Sequence, residues 1–256
     1  MSGTVEFQRG DAPNPLVYTD ARGVRLDHLD RAISAIPVIP RGLVRWTVPG
    51  SYTWVVPENV TQLLYTVIGG GGGGCGGDGS DGSGSSVTAG GGGPASVSRG
   101  ILAVHPNETL TIIVAAGGAG GAGGAAGGGS GSVGASGGAS RLSRPTGAFS
   151  NIEIVGGFGG NRSAVTAAPS LNRLNWALFE TASGAAGGGG IGGTGGFIVG
   201  FETQVPAGGT LNQPGGVGLG FGSGGGGGGI GGIGGTGLLP GASGGTGRPG
   251  LVEIAF

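Results

Sequence analysis

The chain contains no lysine. All twelve of its basic residues are arginines, set against thirteen acids, and the formal net charge is −1. With charged residues at only 10%, neither nucleic acid nor an anionic membrane surface finds an electrostatic partner here. A phosphate-binding loop of the lysine-containing kind is excluded for the same reason. One cysteine, Cys75, excludes an intrachain disulfide. The two histidines, His28 and His105, lie far apart and cannot complete a standard zinc set with it. No run of eighteen or more large apolar residues occurs, so no membrane span is expected. The polar N-terminus lacks the apolar segment of a secretory signal. Acids are few and scattered, with no paired-carboxylate or Ser/His/Asp arrangement. The chain therefore reads as a non-enzyme with no metal and no cofactor.

What is abundant is glycine, 72 of 256 residues. Only Gly3, Gly10, Gly23, Gly42 and Gly50 precede Gly69; the rest fill the stretch from Gly69 to Gly250. Several runs repeat every three residues, as in Gly117-Gly118-Ala119-Gly120-Gly121-Ala122, Gly189-Gly190-Ile191-Gly192-Gly193-Thr194 and Gly228-Gly229-Ile230-Gly231-Gly232-Ile233. This period and its Ala, Ile and Phe third positions argue against a Gly/Ser linker. Two glycines per triplet with almost no proline argue against collagen. Matches to a dinucleotide fingerprint arise from composition alone. Gly73 to Asp78 opens like a calcium nonapeptide repeat, but its aliphatic position is Ser80 and no second copy follows. The remaining reading is a packed bundle of polyglycine II helices, extended with three residues per turn. Such helices have no internal hydrogen bonds, so their N–H and C=O groups must pair with neighbouring helices.

Apolar segments predict strands around this field. Leu43 to Pro57 carries Trp46, Val48, Tyr52, Trp54 and Val56 about Pro49-Gly50, a strand–turn–strand pattern. Further strands are expected over 61–68, 95–104, 109–114, 152–155 and 251–256, with a turn at His105-Pro106-Asn107-Glu108. The fold class is mainly β: an antiparallel β-sandwich with inserted polyglycine II helices, preceded by an N-terminal arm and short helix. The arm would be 1–44 and the glycine-rich domain 45–256. Within the arm, residues 24–36 read as a helix ended by Pro37. Leu26, Leu29, Ile33 and Ile36 form a short heptad seam, either packed on its own domain or used for self-association. Four stretches interrupt the glycine pattern: 78–88, 141–150, 161–186 and 198–214. Trp176, in the longest, is either a core plug or a contact residue.

The order of parts resembles the glycine-rich domain of bacteriophage tail-fibre and tail-tip proteins. Three stretches carry the resemblance: Trp54 to Val60 with Leu63 to Gly69, His105 to Leu110 leading into Val114 to Gly118, and Gly247 to Ile254. It covers roughly 45–256 and is similar to the distal adhesin of T-even phages. The resemblance implies a virion adhesin whose loops, at the end of the helix bundle, bind a host surface glycan, pilus or outer-membrane receptor. By position these loops supply Asn161, Arg162, Leu171, Arg173, Asn175, Trp176, Phe179, Phe201, Gln204, Asn212 and Gln213. The arm would dock onto other virion tail proteins, and the heptad seam suggests a homotrimer. Two alternatives stand beside it: an ice-binding protein, since flat glycine-helix bundles resemble some antifreezes, and a purely structural virion connector.

Overall fold

The computed structural model describes residues 42–82, 89–144, 151–162, 181–182, 197–198, 207–234 and 237–256. The expected N-terminal helix, with Leu26, Leu29, Ile33 and Ile36, lies outside the described residues. Gly42–Ala255 form one compact unit. Among the described residues there is no α-helix, and the strands are β1 Leu43–Trp46, β2 Gly50–Val55, β3 Gln62–Ile68, β4 Val97–Ala103, β5 Thr109–Val114, β6 Ser140–Ser143, β7 Asn151–Ile154, β8 Thr181–Ala182, β9 Phe197–Ile198, β10 Ile233–Gly234, β11 Gly237–Leu238 and β12 Leu251–Ala255.

Two antiparallel four-stranded sheets, ordered β1-β12-β3-β4 and β2-β5-β6-β7, pack face to face, with β12 on β5 and β6 and β3 on β6. Two-residue ladders join β8 to β9 and β10 to β11. Alternation along the strands sets the inner faces. Leu110 and Ile112 of β5 are fully buried while Thr109 is exposed. Leu63 and Val67 of β3, Leu142 of β6, and Val252 and Ile254 of β12 complete the core. Each such side chain contributes about 1.5–3 kcal/mol through burial.

Three expectations need correction. The Pro49-Gly50 segment is not a hairpin: β1 pairs with β12 and β2 with β5, so the chain crosses between sheets there. Ser140–Ser143 is a strand, although 141–150 reads as an interruption; one buried leucine, Leu142, suffices to seat it. The interruptions at 78–88 and 198–214 also begin or end inside ordered backbone, as Ser80 and Gly209 both donate to neighbouring tracts.

The sandwich has two distinct ends. At one, Ile68 pairs with Leu251 and β3 runs directly into Gly69. At the other, Leu43 pairs with Ala255. From the first end the glycine tracts project as a hydrogen-bonded lattice centred on 69–80. Successive N–H groups of this tract turn to three different neighbours. Gly70, Gly73, Gly76 and Gly79 donate to Gly138, Ala135, Ser132 and Gly129. Gly71, Gly74, Gly77 and Ser80 donate to Arg248, Gly245, Ala242 and Leu239, and Gly69, Gly72 and Cys75 to Ser96, Gly93 and Gly90. The partner numbers fall as the tract's rise, so these three neighbours are antiparallel. Its carbonyls accept from three parallel neighbours: Gly72, Cys75 and Asp78 take Gly225, Gly228 and Gly231, Gly71 and Gly74 take Gly118 and Gly121, and Gly70 and Gly73 take Gly157 and Gly160.

Six neighbours and a repeat of three answer the question of where a glycine tract's backbone bonds go. Close approach is what excludes side chains: a Cβ on Gly72 would lie 1.9 Å from the Phe158 carbonyl oxygen. Outer tracts keep the same repeat. Ala116, Ala119, Ala122 and Ala125 are exposed while Gly118, Gly121 and Gly124 are buried.

Candidate functional site

The end of the lattice remote from the sandwich is where the tracts turn and where side chains re-enter the glycine field. Tract 155–161 reaches it, and there the Asn161 carbonyl accepts the Gly90 N–H at 2.9 Å. Gly72 has no room for a Cβ against this tract, but Cys75 and Asp78, three and six residues on, occupy the same side of the repeat. Both carry side chains, and both are buried.

These side chains tie the lattice end together. The Cys75 Sγ lies 3.3 Å from the Ser132 carbonyl oxygen. Asp78 accepts the Gly131 N–H on Oδ1 at 2.8 Å and Arg162 Nη2 on Oδ2 at 2.8 Å. Arg162 N–H is in turn held by Asn161 Oδ1 at 2.7 Å. Burial, then the Asp78 carboxylate, push the Cys75 thiol above its ordinary pKa; the Arg162 charge opposes this in part. Such a thiol is a poor nucleophile at neutral pH. Asp78 has both oxygens engaged with protein donors, which leaves the calcium-repeat resemblance of Gly73–Asp78 without a free carboxylate. No group of three or more metal-binding side chains occurs among the described residues.

Residues 47–255 match a family described as a glycine-rich domain. The chain belongs to this family. No curated protein matches it.

Elsewhere at the same end of the glycine-rich domain, the chain reverses at Leu211-Asn212. Asn212 adopts φ 57°, a left-handed conformation that asparagine tolerates better than most residues. Its Oδ1 accepts the Gly232 N–H at 2.7 Å. The Leu211 side chain lies over Gly232, where a Cβ would come within 2.8 Å of it, and remains 51% exposed. Leu238 of β11 is also exposed. A second reversal, at 126–128, uses Gly127 and Gly128 at φ 88°.

Of the residues named from the sequence, Asn161, Arg162, Asn212 and Gln213 fall at or beside this end. Asn161 and Gln213 are exposed, and Arg162 and Asn212 are half-buried in the contacts just given. Leu171, Arg173, Asn175, Trp176, Phe179, Phe201 and Gln204 lie outside the described residues. Asp78 was not among the candidates. Its signal was present: a lone carboxylate inside an otherwise glycine tract must find buried donors.

Proposed function

We propose that this glycine-rich domain is the display end of a bacteriophage tail-fibre or tail-tip protein. On this reading the tracts are polyglycine II helices, and the protein is a non-enzymatic adhesin of the virion that binds a host surface glycan, pilus or outer-membrane receptor. The interruptions 161–186 and 198–214, with Asn161, Arg162, Leu171, Arg173, Asn175, Trp176, Phe179, Phe201, Gln204, Asn212 and Gln213, carry the contact. The residues ahead of β1 form an arm that docks onto other virion tail proteins, with Leu26, Leu29, Ile33 and Ile36 joining a homotrimer.

The observation that supports this most is the polarity of the domain. Leu43 and Ala255 lie at one end. At the other lie the Asp78–Arg162 contact and the chain reversal at Leu211-Asn212. A lattice with its backbone bonded on six sides is a rigid platform, and loops on a rigid platform can vary without refolding it. Aromatic loop residues bring contact area at low entropy cost, and several copies on one particle add avidity. The test is competition: purified protein incubated with susceptible cells should block phage adsorption, and exchanging 161–186 and 198–214 between relatives should transfer host range. Unchanged adsorption and host range would refute the adhesin and favour a structural connector.

One feature favours an ice-binding role instead, the exposed methyl stripe of Ala116, Ala119, Ala122 and Ala125. Its spacing is about 9 Å per repeat at roughly 3.1 Å per residue. That reading requires thermal hysteresis, which the adhesin does not.

A further inference from the structure

The tripeptide Asp-Gly-Ser occurs twice in succession, as Asp78-Gly79-Ser80 and Asp81-Gly82-Ser83. An aspartate followed by glycine can react with its own backbone. The glycine nitrogen attacks the carboxyl carbon of the aspartate in its acid form, a C–N bond closes a five-membered imide, and one water leaves. One water then reopens the ring. Attack at the side-chain carbonyl restores aspartate. Attack at the main-chain carbonyl gives isoaspartate, whose chain runs through Cγ and whose α-carboxylate is free. Mass and charge are unchanged, and water is the only reagent. Glycine favours the step because no Cβ crowds its nitrogen.

The two copies stand in opposite settings. Gly79 is buried, and its N–H donates to the Gly129 carbonyl at 2.8 Å. A Cβ there would lie 1.8 Å from the Ala125 carbonyl oxygen, so its backbone has no space to turn. Asp78 is buried as well, with one oxygen held by the Gly131 N–H and the other by Arg162. Ring closure at Asp78 would break all of these bonds. Three residues on, Asp81 and Gly82 are exposed. The Gly82 N–H donates to the Ser80 hydroxyl over 3.4 Å, beyond the usual range for such a bond. A Cβ on Gly82 would meet Leu238 Cδ2 at 3.5 Å, an ordinary contact with the tip of a side chain.

The lattice also decides what each product would disturb. Isoaspartate at 78 inserts a methylene into a tract whose Gly79 and Ser80 N–H groups are bonded in register to Gly129 and Leu239. At 81 the methylene falls beyond Ser80, whose carbonyl takes the Gly127 and Gly128 N–H groups. We propose that Asp81 is a self-modifying site, converted to isoaspartate in the native protein, and that the lattice protects Asp78 in the same tripeptide. The change adds a methylene to the backbone at the end remote from the sandwich and leaves the lattice bonds in place. The inference is independent of the adhesin reading.

Prolonged incubation of the full chain at neutral pH, native and in urea side by side, tests it. Trypsin cuts after Arg45 and Arg99 with no basic residue between them, so both aspartates fall in one peptide. Electron-transfer fragmentation of that peptide tells isoaspartate from aspartate at each position. In the native chain isoaspartate at 81 should exceed that at 78 by about tenfold or more, because Asp78 reacts only when the lattice opens. In urea the two positions should react at similar rates. Asp81→Glu, whose carboxyl would need a six-membered ring, should remove most of the isoaspartate from the native chain's peptide with an unchanged circular dichroism spectrum. If that variant fails to fold, the native-against-urea comparison decides alone. Equal accumulation at 78 and 81 in the native chain, none at 81 in either condition, formation at 81 in urea alone, or isoaspartate undiminished by Asp81→Glu would overturn the proposal.

Discussion

Asp78 and Arg162, 84 residues apart, meet through a 2.8 Å hydrogen-bonded ion pair at the end of the glycine lattice. The second Asp78 oxygen holds the Gly131 N–H, so one carboxylate joins three tracts at the end remote from the sandwich. Asp78 is 90% buried in its side chain and Arg162 about two-thirds buried. Removing the acid strands a partly buried charge and a backbone donor together. Asp78→Ala should destabilise by about 2–3 kcal/mol. Asp78→Asn, which keeps an acceptor for Gly131, should cost about 1 kcal/mol. Urea unfolding checks both; equal losses in the two variants would contradict the bridging role.

Glycine is required in the interior tracts for lack of a Cβ. Gly72→Ala would force a methyl to 1.9 Å from the Phe158 carbonyl oxygen, a backbone atom with no rotamer to move. A loss above about 4 kcal/mol or outright failure to fold is expected. Ala119→Ser, on an exposed position of the repeat, should stay within about 0.5 kcal/mol. Thermal unfolding of the pair separates a packed lattice from a slack tract, in which both changes would be mild.

Cys75 gives a chemical and a pH signature. Its buried thiol should resist a thiol-specific reagent in the native state and react only on unfolding. Because its folded pKa is raised, the folded state keeps the proton after the unfolded thiol, near pH 8.5, has begun to lose it. Fewer protons on the unfolded chain make stability fall as pH rises above that value. Cys75→Ala should flatten this decline between pH 8 and 10, whatever its effect on stability at pH 7. An unchanged slope would contradict the burial of the thiol.

Asn212 holds the 211–212 reversal through its left-handed backbone and its bond to Gly232. Asn212→Gly should cost about 1 kcal/mol, the lost side-chain bond, and Asn212→Val about 2–3 kcal/mol, the bond plus backbone strain. Chemical denaturation of the two variants measures the difference.

Strands with alternating large residues were legible in the sequence. Thr109–Val114 was read with its observed bounds, and 62–68 and 251–255 to within a residue. Pairing was not. The aromatic run around Pro49-Gly50 has a local hairpin pattern, yet its halves belong to different sheets, a choice made by β12 and β5 far along the chain. Ser140–Ser143 gave almost no signal, with one apolar side chain in four residues. The three-residue repeat was legible as a demand for neighbours, but identical glycine tracts carry no record of which neighbour each will take. The Asp78–Arg162 contact lies beyond sequence reasoning for the same reason: it depends on which neighbours tracts 69–80 and 155–162 take.

Amide hydrogen exchange on the native full chain, read along 69–80, 89–96 and 222–232, bears most directly on the rigid lattice. The bonding pattern predicts slow exchange at Gly70 through Gly77, approaching the limit set by global unfolding. Protection should recur at every position from Gly70 to Gly77, since each N–H there in turn points to a bonded neighbour. Exchange at the rate of an unstructured glycine peptide across these tracts would contradict the lattice, and the platform on which the proposed adhesin rests would go with it.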